Sequence, residues 1–117
     1  MSDLEAALPQ SLKRAAIWSG EELVLPHAQA VSAIKVATDS KIAILGIEAF
    51  EVRTDGLLTV DLADASGRIP FAGEWQAYVA RLNAEALQWI NEHRFGENHG
   101  YILTSASRRE FEMLRRM

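Results

Sequence analysis

Three histidines, a few hydroxyl side chains and one compact group of carboxylates are the residues of this chain that could do chemistry. Metal ligands must converge, usually from one helix face or from paired strands. His93 and His99 are instead separated by a helix end and the turn beyond it, and His27 simply follows Pro26. The dipole at a helix C-terminus is reason enough for His93. Thr104, Ser105 and Ser107 lie close to His99 in sequence, but no strained Gly-x-Ser-x-Gly turn presents a nucleophile. Ser107-Arg108-Arg109-Glu110 reads as a helix capping box, which accounts for Ser107. The chain has no cysteine, so thiolate nucleophiles, zinc–thiolate sites, iron–sulfur clusters and disulfides are excluded. The single glycine in Lys41-Ile42-Ala43-Ile44-Leu45-Gly46 suggests a bulge or close packing, not a phosphate cradle. No metal, cofactor or catalytic residue is expected.

The carboxylates are more informative. The net charge of the chain is −4, and residues 48–64 hold Glu48, Glu51, Asp55, Asp61 and Asp64 against Arg53 alone. The flanking segments nearly balance, so this stretch carries the whole acidic excess. Paired arginines near the C-terminus alternate with Glu110 and Glu112, as on a solvated helix, not a nucleic-acid patch. An acidic isoelectric point near 5.3 also argues against nucleic acid as a ligand.

The elements that must position these groups follow from periodicity. A helix is expected from about Leu8 to Ile17, with Pro9 in its first turn, and residues 2–8 as a separate turn. A second helix opens at Leu25-Pro26 and stops at Asp39-Ser40. Lys41 to Arg53 is a strand, apolar on both faces in its first half and therefore central or doubly covered. Thr54-Asp55-Gly56 turns the chain back. A three-residue loop with Gly56 left-handed pairs Val52 with Leu58, Phe50 with Val60 and Glu48 with Leu62, keeping one hydrophobic face intact. That register sends Glu51 and Asp61 outward, puts Asp55 at the tip and Asp64 at the exit. Residues 63–73 form a loop. Glu74 to His93 is a five-turn amphipathic helix, followed by a short strand Tyr101–Thr104 and a last helix from Ser107. The order α-α-β-β-α-β-α describes an α+β two-layer sandwich, with a small, mainly antiparallel three-stranded sheet packed by helices.

A length of 117 residues, 49% hydrophobic and 24% charged, suits one domain spanning 1–117. The acidic N-terminus has no signal-peptide pattern, and no apolar run approaches the ~18 residues of a membrane span. A cytoplasmic protein is the expectation.

The Ile-Leu-Gly strand after a short helix, the hairpin, and Gly73-Glu74-Trp75 opening a helix with Tyr and Leu together resemble small immunity proteins of bacterial polymorphic toxin systems. The similarity covers roughly residues 25–104. It implies a cytoplasmic, non-enzymatic protein that binds a cognate toxin domain, often a nuclease, and occludes its active site. A nuclease site is basic because it holds phosphate, so an acidic ribbon would complement it. Glu51, Asp55, Asp61 and Asp64 are the expected contact residues. Two other readings stand beside this one: a self-associating regulatory or structural module, and a small hydrolase in which Glu48 works with His93 or His99.

Overall fold

The computed structural model describes residues 2–20 and 22–116. Two short helices come first, α1 (Asp3–Ala7) and α2 (Gln10–Arg14), where one longer helix from Leu8 was expected. Ser2 caps α1, its hydroxyl accepting from Glu5 N at 3.1 Å, and Pro9 occupies the N-cap of α2. A small hairpin of β1 (Ile17–Ser19) and β2 (Glu22–Val24) follows. Then come α3 (His27–Asp39), β3 (Ala43–Arg53), β4 (Gly56–Asp64), α4 (Ala65–Arg68), α5 (Trp75–Glu92), β5 (His99–Ala106) and α6 (Arg108–Arg115). The main sheet is antiparallel in the order β4-β3-β5, so the fold is α+β, with the apolar strand β3 at its centre.

Helices α3 and α5 cover one face of this sheet. Ile44, Ile47 and Ala49 of β3 and Tyr101 of β5 share a core with Ala30, Ala33 and Ile34 of α3 and Ala86 and Ile90 of α5. A second core gathers Ala43, Leu45 and Ala106 beneath Trp75, Tyr78, Val79 and Leu82, with Phe71 and Phe111 packed against it. The start of β3 is thus buried on both sides, as its composition suggests. A bulge at Leu45 separates the pairs Ile44↔Ser105 and Gly46↔Thr104. This extra residue lets Ile44 and Ile47 point into the same core although they are three positions apart.

The hairpin register differs from expectation at its tip. Near the base, Glu48 pairs with Leu62 as the three-residue loop requires, and Ala49 pairs with Asp61. Beyond Ala49 the pairing shifts to Phe50↔Thr59, Glu51↔Leu58 and Val52↔Leu57, leaving Val60 as the extra residue of a β-bulge. Only Thr54 and Asp55 form the turn, and Gly56 takes φ 138°. The faces are also reversed. Ile47 and Ala49 face the helices, so the alternation of a strand places Asp61 on the helix side and Glu48 and Leu62 on the other. The reason lies in the packing partners. Ala49 and Ala63 are small enough to admit α5, whereas Phe50, Val52 and Leu62 are not, and the bulge at Leu45 resets the parity of β3.

Helix α3 ends in a Schellman arrangement, with Ile42 N donating to Ala37 O at 2.8 Å and Lys41 N to Thr38 O at 3.2 Å. The left-handed position there is Lys41, at φ 60°. A side chain in that conformation costs about 1 kcal/mol. Lys41→Gly should therefore raise stability by about 0.5–1 kcal/mol, read as a higher urea midpoint at unchanged slope. The Lys41 carbonyl would still accept the Trp75 Nε1–H bond of 2.7 Å.

The two ends of the described chain meet. Asp3 accepts from the Ser107 hydroxyl and from Arg109 at 2.6 Å, while its own N–H donates to Glu110 at 3.2 Å. Ser107 and Glu110 meanwhile complete the capping box of α6. The Ser107 hydrogen bond is the largest influence; it opposes desolvation and, with help from Arg109, holds the Asp3 carboxyl below its ordinary value of 3.8. The lowered folded-state value fixes the sign: the contribution is present above pH 3.8 and is lost as pH falls through the lowered value. Asp3→Asn should flatten the acid limb of the stability profile below about pH 4, measured by thermal melts between pH 2 and 6.

Candidate functional site

The acidic hairpin is the first candidate, and its carboxylates are dispersed. Glu51 sits on the helix-side face of β3 near the tip, hydrogen-bonded to Arg53 at 3.1 Å. That guanidinium, outweighing a smaller desolvation effect, keeps the Glu51 carboxyl below its ordinary range. Asp61 lies on the same face, with one carboxylate oxygen accepting from Leu62 N at 2.8 Å and the other 3.7 Å from His93 Nε2. Asp64 caps α4, accepting from Gly67 N at 3.0 Å and Ser66 Oγ at 3.1 Å. Asp55 is exposed at the turn. The expected contact residues therefore do not form one outward face: Glu51 and Asp61 share the helix-bearing side beyond the helix end, Asp55 marks the tip and Asp64 the base.

His93 fixes its own tautomer. Its Nδ1–H donates to the Trp89 carbonyl at 2.7 Å, and its ring stacks on Trp89 with centroids 4.2 Å apart. Nε2 then gains a hydrogen toward Asp61 only when the imidazole is protonated. Glu48 projects from the opposite face of β3, opposite Ile102, while His99 alternates with Ile102 along β5. The hydrolase reading needs Glu48 and a histidine in one cleft; they stand on opposite sides of the sheet. Among the described residues, no three His, Asp or Glu side chains come together in a way that could hold a metal ion.

What the hairpin does present is an edge. β4 is nine residues long and is the terminal strand of the sheet. Its Leu58, Val60 and Leu62 are 43%, 38% and 59% exposed. The register puts Leu58 beside Glu51 on the helix side and Leu62 beside Glu48 on the other, with Val60 at the bulge between them. Large apolar side chains thus flank the unpaired edge on both sides, interleaved with Asp55, Asp61 and Asp64. An exposed apolar edge strand is ordinarily selected against unless something covers it.

A concavity of about 750 Å³ lies elsewhere, where the N-termini of α5 and α6 meet the end of α3. Of its basic groups, Arg108 and Arg109 are already paired, with Glu112 and Asp3, and Lys41 lies at the rim beside Glu74 in the lining. Among the described residues, no helix is long and apolar enough to cross a membrane. No family model, curated protein or solved structure matches this chain.

Proposed function

We propose that this chain works by binding a basic protein surface along the edge of β4, and that neutralising a cognate toxin domain, as the resemblance to immunity proteins implies, is the purpose of that binding. The observation that carries the reading is the exposed row Leu58, Val60 and Leu62 on an edge strand inside the segment that holds the entire net charge of −4. Apolar side chains supply the buried centre of such an interface and the carboxylates its rim. Acidic rim charges accelerate encounter with a basic partner and set its identity more than they add affinity.

The same features disfavour self-association. Two copies joined through β4 would set two acidic segments side by side, each carrying Asp55, Asp61 and Asp64 and no basic residue on the strand. The bulge at Val60 also interrupts the regular ladder that a second strand would need.

The test starts by capturing the partner from a lysate of the native host on the immobilised chain, then measuring affinity for the purified partner. Asp55→Lys with Asp61→Lys should weaken binding about tenfold at low salt and flatten its salt dependence. An affinity that ignores both the charge reversals and ionic strength would remove the acidic edge from the interface.

A further inference from the structure

The loop after α5 folds back over the start of α3 and the start of β5, closing a cleft of about 290 Å³. Its lining includes His27, Arg94, Phe95, Glu97, His99 and Tyr101. Two of the three histidines of the chain, 72 positions apart in sequence, therefore face one cavity. His27 Nε2 and His99 Nδ1 are both shielded from solvent and, among the described residues, have no hydrogen-bond partner. The rings are held in place: His27 meets Tyr101 edge-on with centroids 6.0 Å apart, and Phe95 stacks on His99 at 5.6 Å. The Tyr101 hydroxyl cannot serve as their donor, because it donates to the His93 carbonyl at 2.6 Å.

A buried ring nitrogen without a partner costs about 1–3 kcal/mol, so two in one cleft mark a place where a ligand atom is repaid for entering. The volume lies just below the usual range for small-molecule sites. We propose that this cleft binds a small organic anion, whose carboxylate or phosphate oxygens meet the exposed Arg94 guanidinium and, once the rings turn slightly into the cleft, accept from protonated His27 Nε2 and His99 Nδ1, while Phe95 covers its apolar body. Two imidazoles without a third ligand do not make a metal site.

The groups facing the imidazoles set the pH behaviour. Arg94 and Glu97 line the cleft with Tyr101, and Glu51 stands across from His99 on β3 with Arg53 beside it. His93 is turned to Trp89 and Asp61 instead. An anion that binds imidazolium takes up protons on binding, so affinity rises as pH falls. This inference is independent of the β4 edge and can fail without it.

Imidazole C–H signals followed by NMR, with benzoate and separately inorganic phosphate added at about pH 6 and about pH 8, decide it. The expected result is saturable movement of the His27 and His99 signals with at least one probe, about tenfold tighter at the lower pH. Benzoate alone would assign a carboxylate with an apolar body, and phosphate a phosphate monoester. Arg94→Gln, an exposed position, should weaken binding about tenfold with no change in melting temperature. His27→Gln and His99→Gln should abolish it; if either fails to fold, the Arg94 variant and the pH comparison carry the test. The proposal is overturned by shifts that stay linear with concentration, by Arg94→Gln binding as the parent does, or by saturation with zinc alone that a chelator reverses.

Discussion

Asn83→Leu should destabilise the protein by about 3–5 kcal/mol, the largest effect of any single substitution considered. Asn83 is only 2% exposed, in the middle of α5 on its inward side. Its Oδ1 accepts from Ile44 N at 2.8 Å, and its Nδ2 donates to Ile42 O and to Thr38 Oγ1, both at 2.9 Å. Thr38 passes the chain on to Ile34 O at 2.9 Å. The pairing of β3 with β4 stops at Gly46↔Asp64, so the backbone of Ile42 and Ile44 has no strand on that side. The Asn83 amide takes the place of the missing peptide group, accepting from one residue and donating two positions away. Leucine fits the space but leaves a buried N–H and a buried C=O unpartnered, each costing about 1–3 kcal/mol. Urea denaturation measures the loss; a change under about 1 kcal/mol would mean that water satisfies these groups instead.

The second large effect concerns binding. Leu58→Asp together with Leu62→Asp should weaken the β4 interface by more than about 100-fold, because apolar side chains at the centre of an interface dominate its energy. The fold should lose only about 1–2 kcal/mol, because both side chains are largely exposed while each new carboxylate stands across from Glu51 or Glu48. This pair of readouts separates a docking role from a structural one. Unchanged partner affinity in a folded double variant would exclude the edge of β4 as the binding surface.

Much of this architecture is legible in the sequence where one element carries its own signal. The helix of α5 shows its period over five turns, and the capping box at Ser107 and Glu110 forms with both reciprocal hydrogen bonds. The apolar run of β3 correctly implies a central strand. The hairpin β1–β2 does not show itself, because strands of three residues are too short for an alternation to register. The reversal of the hairpin faces has a deeper cause. Pattern reasoning assumes an unbroken alternation, and bulges at Leu45 and Val60 each break it by one residue. Asn83 did leave a trace: it is a polar residue among the inward positions Val79, Leu82 and Ala86, which asks for a buried partner. The approach of His27 to His99 leaves none, since it depends on how the loop after α5 folds over two distant elements.

The contact of Asp3 with Ser107 and Arg109 bridges 104 and 106 positions of chain. Closing a loop of that length is entropically unfavourable until the intervening sheet and helices have shortened the path. The clasp should accordingly be absent from the folding transition state and present only in the native well. Loosening it, as in Asp3→Asn, would leave the refolding limb of a chevron unmoved and speed the unfolding limb. In that light the clasp sets how long the molecule stays folded more than how quickly it gets there.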